Sequence, residues 1–105
     1  MNNIYIIYST FSDRAEALST ARILLERRLV ACANLMDNLT SLYHWEGKVC
    51  ESKEVAVIFK TSASKRQSAI DEIKRLHSYQ VPCIVAYPVT DGLPAFLQWV
   101  ADETA

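Results

Sequence analysis

The sequence predicts an α+β fold in which helices cover one face of an antiparallel sheet. Three observations predict it: β-branched and aromatic runs alternate with amphipathic segments, one very long extended stretch reverses at a Glu-Gly turn, and half of the 105 residues are apolar. This length and composition suffice for one ordinary core, so we expect a single domain over residues 1–105.

The first strand and the first helix open the chain. Residues 4–10 are mainly β-branched or aromatic, which favours a strand, and Ser12-Asp13 then offers an N-cap and an acidic first turn. Apolar residues recur behind it at helical spacing, with charged residues mostly opposite; they are Ala17, Leu18, Ala21, Leu24, Leu25 and Leu29. The pattern predicts an amphipathic helix.

The central hairpin is the most informative element. Residues 30–36 and 39–45 form the first predicted arm, WEGK at 45–48 forms the turn, and residues 49–61 form the second arm. Each arm runs to roughly 13 to 15 residues, whereas a usual strand has about 5 to 6. A domain of this size cannot cover such arms by itself.

Pairing across the turn assigns the faces of this hairpin. If Trp45 pairs with Lys48, alternation turns Val55, Val57 and Phe59 towards the core. The face that the helices leave uncovered then carries Tyr43, Trp45, Glu54 and Lys60. We expect a bulge at Asp37-Asn38, because an unbroken register would place polar Asn34 among the core residues.

The second half completes the fold. Ser62 and Ser64 are candidate N-caps of a helix whose apolar stripe ends at His77, and Val81-Pro82 breaks it before a strand at 83–89. Pro94 suits the first turn of a short terminal helix, with Phe96, Leu97 and Val100 expected to point inward. The order of elements is the split βαβ or ferredoxin-like arrangement.

Composition and charge exclude several classes of partner. The net charge is −1, with 11 basic and 12 acidic residues spread along the chain, so neither nucleic acid nor a membrane is expected as a partner. Three cysteines without a Cys-x-x-Cys pair favour a reducing, cytoplasmic location. The apolar run near the N-terminus is about five residues long, too short for a signal peptide or a membrane span.

No catalytic motif stands out, because the chain has only two glycines, no phosphate loop and no nucleophile motif. HSYQVPC at 77–83 instead combines an imidazole, a phenol and a thiol, which leaves a metal site, a ligand pocket or a simple helix stop open. His77 either complements the helix dipole or ligates a metal. Tyr79 either packs the turn or contacts a ligand. Cys83 is either a small core residue or a second metal ligand.

The uncovered hairpin face holds the other candidates. Tyr43 and Trp45 suit an oligomer interface. Lys60 directly follows the apolar block VAVIF, so that it must reach solvent, a carboxylate or an anionic ligand, and with Glu54 it suits an interfacial ion pair. Because this face and the long arms both need partners, a homo-oligomer is predicted.

Five segments follow one another along the chain: they are LVACANL (29–35), SLYHWEGKV (41–49), FKTS (59–62), HSYQVPC (77–83) and FLQWV (96–100). Together they resemble the CutA divalent-cation tolerance family over nearly the whole chain. The resemblance implies a homotrimer with arms that wrap neighbours as in PII signalling proteins, tolerance of copper and other divalent ions, and no firmly attached enzymatic reaction. It also implies clefts between protomers, near Tyr43, Trp45, Glu54, Lys60, His77 and Tyr79.

The chain departs from the family pattern near the implied metal site. Ser78 and Cys83 replace a proline and a glutamate, while Ser9 and Leu76 stand where some bacterial members carry a cysteine and a second histidine associated with copper. These losses weaken the implied metal site, and we expect Cys83 to offset them, since a thiolate with an imidazole suits Cu(I).

We therefore predict a trimeric protein that binds copper or another divalent ion weakly through His77 and Cys83. The alternatives are a PII-like signalling or scaffold trimer that holds a small anion through Lys60, and a hydrolase on the same fold.

Overall fold

Seven elements build the part of the chain that the structure describes. The computed structural model describes residues 3–105 and contains β1 (Ile4–Phe11), α1 (Arg14–Glu26), β2 (Cys32–Trp45), β3 (Lys48–Ser62), α2 (Ala63–Leu76), β4 (Ile84–Pro88) and α3 (Pro94–Glu103). The strands form one antiparallel sheet in the order β2-β3-β1-β4. The predicted α+β, ferredoxin-like topology is confirmed.

The ends of the elements differ from the prediction by one or two residues. Asp13 rather than Ser12 caps α1, and its carboxylate accepts a hydrogen bond from the Glu16 N–H at 2.8 Å. Ser62 occupies the N-cap of α2, but its hydroxyl pairs with those of Ser64 and Thr104 instead of capping the helix. The last strand begins at Ile84, so Cys83 belongs to the preceding loop.

The core lies between the helices and one face of the sheet. Its fully buried side chains come from β1, α1, β3 and α2; they include Ile7, Phe11, Leu24, Val57, Phe59 and Ile73. A second small cluster joins α3 to the start of β1 through Leu97, Val100 and Ile4. Phe96 does not point inward as expected: it is 40% exposed, because this short helix buries only the stripe of Leu97 and Val100.

The hairpin runs well beyond the rest of the sheet. Its strands have 14 and 15 residues, and Trp45 pairs with Lys48 across a turn in which Glu46 and Gly47 have φ of 50° and 77°. Positive φ at both positions matches the right-handed strand twist. Because β1 stops pairing at Phe11↔Val55, residues 48–54 pair with β2 alone. This two-stranded arm explains the extent of 44 Å along the long axis.

The predicted bulge interrupts β2 between Met36 and Leu39. Met36 pairs with Ala56 and Leu39 with Glu54, so β2 contains one extra residue, and Asn38 adopts φ 61°. The extra residue shifts the alternation of side chains along β2. As a result, Asn34 lies opposite Ile58 on the side of the sheet away from the helices, and Tyr43, which pairs with Cys50 on the turn side of the bulge, shares that face with Glu54.

Candidate functional site: an aromatic cleft with a buried carboxylate

The imidazole of His77 is buried at the C-cap of α2. Its ring stacks on Phe11, with centroids 4.5 Å apart and 14° between the planes. Nε2 lies 2.8 Å from the Thr10 carbonyl oxygen, and Nδ1 lies 3.1 Å from the Tyr79 backbone nitrogen. Because a carbonyl oxygen only accepts and a backbone N–H only donates, Nε2 carries the proton and Nδ1 accepts. Both ring nitrogens are therefore engaged within the protomer.

Glu16 of α1 anchors the loop that follows His77. Its carboxylate accepts hydrogen bonds from the Ser78 N–H at 2.7 Å and the Ser12 hydroxyl at 3.1 Å, and it lies 4.0 Å from Nδ1 of His77. Burial raises the pKa of Glu16, but the hydrogen bonds from Ser78 and Ser12 outweigh it, so that the pKa is lowered overall. This carboxylate holds residues 77–79 in place.

Tyr79 connects the loop that Glu16 anchors to strand β3 of the sheet. Its hydroxyl donates to Oε2 of Glu54 at 2.7 Å, and burial followed by this bond raises the pKa of Tyr79. Glu54 is only 8% exposed, and among residues 3–105 no ion pair within 4 Å includes it. Its one side-chain hydrogen bond in that range comes from a neutral phenol.

A cleft of about 680 Å³ opens between the hairpin arm and the loop 79–83. Its lining includes the rings of Tyr8, Tyr43, Trp45 and Tyr79, the polar residues Thr10, Ser41, His44 and Gln80, and the residues Glu54, Val81, Pro82 and Cys83. The volume lies within the range of about 300 to 1,000 Å³ that small-molecule sites occupy. Five of the residues predicted from sequence thus meet at one cleft: Tyr43, Trp45, Glu54, Tyr79 and Cys83.

Two predicted residues stand away from the walls of this cleft. His77 is not part of the cleft lining, and its Nδ1 accepts a hydrogen bond from the backbone N–H of Tyr79. Lys60 shares its sheet face with Glu54 but lies six residues along β3, about 20 Å away at ~3.3 Å per residue. The Lys60 ammonium donates to the side-chain oxygen of Asn34 instead. The structure therefore does not bring Lys60 and Glu54 together within one protomer.

The Cys83 thiol lines the cleft near Glu54. Partial burial, and secondly the negative charge of Glu54, raise the pKa of this thiol. Since the thiolate is the metal ligand and the nucleophile, Cys83 is a weak ligand at neutral pH unless a cation offsets that charge.

Known proteins resemble this chain over most of its length. The family model for the CutA1 divalent ion tolerance protein matches residues 5–103. The chain belongs to the CutA family. A CutA relative from Archaeoglobus fulgidus is 44% identical over 98 residues, which cover 93% of this chain and 94% of the relative. A second, from Pyrococcus horikoshii, is 41% identical over 94% of this chain and 96% of the relative.

The fold agrees with solved CutA structures. The crystal structure of CutA from Xylella fastidiosa superposes with a TM-score of 0.96 at 34% identity, covering 98% of this chain and 99% of the other. CutA1 from Ehrlichia chaffeensis superposes with a TM-score of 0.94 at 39% identity, covering 100% and 98% of the two chains. The family is named for tolerance of divalent ions rather than for a reaction.

The protomer does not present a ready-made site for the divalent ion that the CutA name implies. Within residues 3–105, no three His, Cys, Asp or Glu side chains stand close enough to hold a metal. His77 would have to release Thr10 or Tyr79 first. Ser9, the position of the copper-associated cysteine in some members, is fully buried on the core side of β1. None of the helices within that range is long and apolar enough to cross a membrane.

Sequence reasoning missed several residues of the site, among them Tyr8 and Glu16. Tyr8 lines the cleft, and the alternation along β1 around the buried Ile7 could have placed it on the uncovered face. Glu16 bonds to Ser78, which lies 62 residues further along the chain. Nothing in the local pattern of α1 indicates that contact.

Proposed function

We propose that the protein serves divalent-cation tolerance as a homotrimer that binds copper or another divalent cation weakly. Membership of the CutA family supports the tolerance role. The observation that carries cation binding is Glu54, a buried carboxylate without a basic partner among the described residues, which lies beside the Cys83 thiol at the cleft. A buried charge of this kind favours a cation over an anion.

The proposed metal ligands are Cys83 and His77, and their environments explain why binding is weak. Cys83 must lose a proton from a thiol whose pKa is raised. His77 must free Nδ1 from the Tyr79 N–H, which costs a buried hydrogen bond of about 0.5–1.5 kcal/mol. Metal affinity is reduced by both costs.

Trimer assembly is supported by the sheet face opposite the helices. Large apolar side chains are exposed on it, including Met36, Tyr43, Trp45, Val85 and Tyr87. The arm of residues 39–54 adds a two-stranded ribbon, which is marginal in water without further packing. We propose that neighbouring copies of this single domain cover both, and that the role is binding rather than catalysis.

The PII-like alternative, a trimer that binds a small anion, has less support. Lys60 does not line the cleft, and the one charged side chain that does among the described residues is the acidic Glu54. A cytoplasmic location is proposed because all three cysteines are free. The Archaeoglobus fulgidus structure is named a periplasmic protein, so cell fractionation is the test.

Copper titration of protein made without a histidine tag tests the metal ligands. We expect Cys83→Ser to weaken Cu(I) binding by about tenfold or more, and His77→Ala to weaken both Cu(I) and Cu(II). Cys50→Ser, on the arm outside the cleft, is the matched control and keeps the parent affinity. If both His77→Ala and Cys83→Ser bind copper as the parent does, these two residues are not the ligands.

Light scattering tests the assembly. We expect the mass of three chains at micromolar concentration, and a smaller mass for Tyr87→Glu, because a carboxylate on a covered apolar face is unpaired. Ser68→Glu places the same charge on the exposed face of α2 and leaves the mass unchanged. A monodisperse monomer of the parent protein at that concentration contradicts the trimer.

A further inference from the structure

Strand β3 carries two opposite charges on the sheet face that lies away from α1 and α2. Glu54 and Lys60 point to this face, and the two side chains between them on the same face, Ala56 and Ile58, are apolar. Six positions separate the two charged residues, which is about 20 Å at ~3.3 Å per residue. They therefore cannot meet within one protomer.

Each of these charges lacks a partner of opposite sign in its own protomer. Within residues 3–105 no ion pair within 4 Å includes Glu54 or Lys60. Glu54 accepts from the neutral Tyr79 hydroxyl, and Lys60 donates to the neutral side-chain amide of Asn34. Glu54 is buried and Lys60 half-buried. The described part of the protomer thus leaves one negative and one positive group of this face without neutralisation.

Assembly through this face increases the need for neutralisation. A neighbouring copy that covers the face removes both groups from water, and a desolvated charge is unfavourable unless an opposite charge contacts it. Lys48, the other charged residue of β3 on this face, is exposed beside the turn and can keep its ammonium in solvent. Glu54 and Lys60 lie further from the turn, where the strands form the body of the sheet.

A closed ring of copies allows the two charges to neutralise each other. Each interface in such a ring is heterologous, so that two different patches of the same surface meet. We propose that Lys60 of one protomer forms an ion pair with Glu54 of its neighbour, which gives three identical pairs in a trimer. The neighbouring copy thereby contributes a residue to the cleft beside Tyr79.

This pairing rests on the proposed homotrimer and adds to it the residues that meet. It also deepens the account of weak metal binding. The Lys60 ammonium neutralises the same carboxylate that favours a metal cation in the cleft, so that a metal ion competes with the neighbouring protomer for Glu54.

Coupling with a water-soluble carbodiimide tests the contact in the unmodified protein. This reagent joins an amine to a carboxylate without a spacer, so it links only groups that touch. Because Glu54 and Lys60 are about 20 Å apart in one chain, an amide between them forms only between copies. We expect covalent dimers and trimers on a denaturing gel, and mass spectrometry of their peptides should identify the Lys60–Glu54 amide.

Exchange of the charges tests whether the pair supports assembly. Lys60→Glu places two carboxylates against each other, so we expect the protein concentration at half-dissociation to rise at least about tenfold. Addition of Glu54→Lys reverses the pair, and the double variant is expected to assemble better than either single variant. Lys74→Glu makes the same change of charge on the exposed side of α2 and is the matched control, with the parent's half-dissociation concentration.

The outcomes separate the ion pair from the trimer itself. A monomeric parent protein contradicts both. A parent trimer that forms no Lys60–Glu54 amide, or one in which Glu54 couples to Lys48 instead, overturns the ion pair alone. A double variant that assembles no better than the single variants, or a Lys60→Glu variant that dissociates at the same concentration as the parent, overturns it as well. None of these measurements requires copper, so they hold whether or not the metal site does.

Discussion

The hydroxyl of Tyr79 donates the hydrogen bond that holds the buried Glu54 carboxylate in position. Tyr79→Phe removes it and leaves the carboxylate without a side-chain partner among the described residues. We expect a loss of about 1.5–3 kcal/mol in the free energy of unfolding, the range for hydrogen bonds to charged groups. Tyr5→Phe, whose ring packs under the Arg66 guanidinium on the helix side of the sheet, is the control and should change stability little. Chemical denaturation at one fixed protein concentration measures both, and equal effects would show that the bond is not stabilising.

Glu72 of α2 determines part of the acid sensitivity. It accepts hydrogen bonds from Arg75 at 2.7 and 2.8 Å and from Arg27 at 2.6 Å, and the Arg75 bond, followed by the charges of both arginines, lowers the pKa of Glu72 despite its desolvation. A folded-state pKa below the unfolded value of about 4.3 means that this contribution is present above that pH and is lost as pH falls. Glu72→Gln should therefore lose less stability between neutral and acidic pH than the parent.

The control for that comparison is Asp71→Asn. Asp71 is the neighbouring carboxylate on α2, and it accepts from the neutral Gln67 amide instead of an arginine. Denaturation midpoints followed across the acidic range distinguish the variants. A Glu72→Gln profile parallel to that of the parent would show that the arginine pairs do not contribute to acid sensitivity.

At the scale of elements, the bulge in β2 depends on one backbone conformation. Asn38 has φ 61°, a left-handed conformation that asparagine and glycine adopt more easily than β-branched residues. Asn38→Val should destabilise the protein by about 1–2 kcal/mol, while Asn38→Gly should be nearly neutral. Leu42→Val, on an exposed position of the same strand, controls for the side chain alone. If Asn38→Val is as stable as the parent, the positive φ carries no strain.

At the scale of the whole molecule, stability should depend on assembly. Long arms and an open apolar sheet face gain burial only when copies associate, at about 25 cal/mol per Å². We therefore expect the thermal midpoint to rise with protein concentration when unfolding is reversible. Differential scanning calorimetry across an approximately hundredfold dilution measures this. A thermal midpoint that does not change with dilution would show that contacts within one protomer, and not assembly, determine the stability.

The sequence by itself determined the order of the elements, the length of the hairpin, its turn and its bulge. These follow from local causes: side-chain periodicity, the positive φ of Glu46 and Gly47, and the polar Asn34 that an unbroken register would bury. It also placed Tyr43, Trp45 and Glu54 on one face, because strands alternate with a period of two.

Only the tertiary structure decided what surrounds these residues. His77 meets Thr10 across 67 positions, Ser78 meets Glu16 across 62, and Tyr79 meets Glu54 across 25. Contacts between residues so far apart in the chain depend on how the helices pack on the sheet, and the local sequence pattern does not predict that packing. For this reason a histidine that the sequence predicts as a free ligand lies buried with both nitrogens bonded, and Lys60, on the same sheet face as Glu54, lies too far along the strand to reach it.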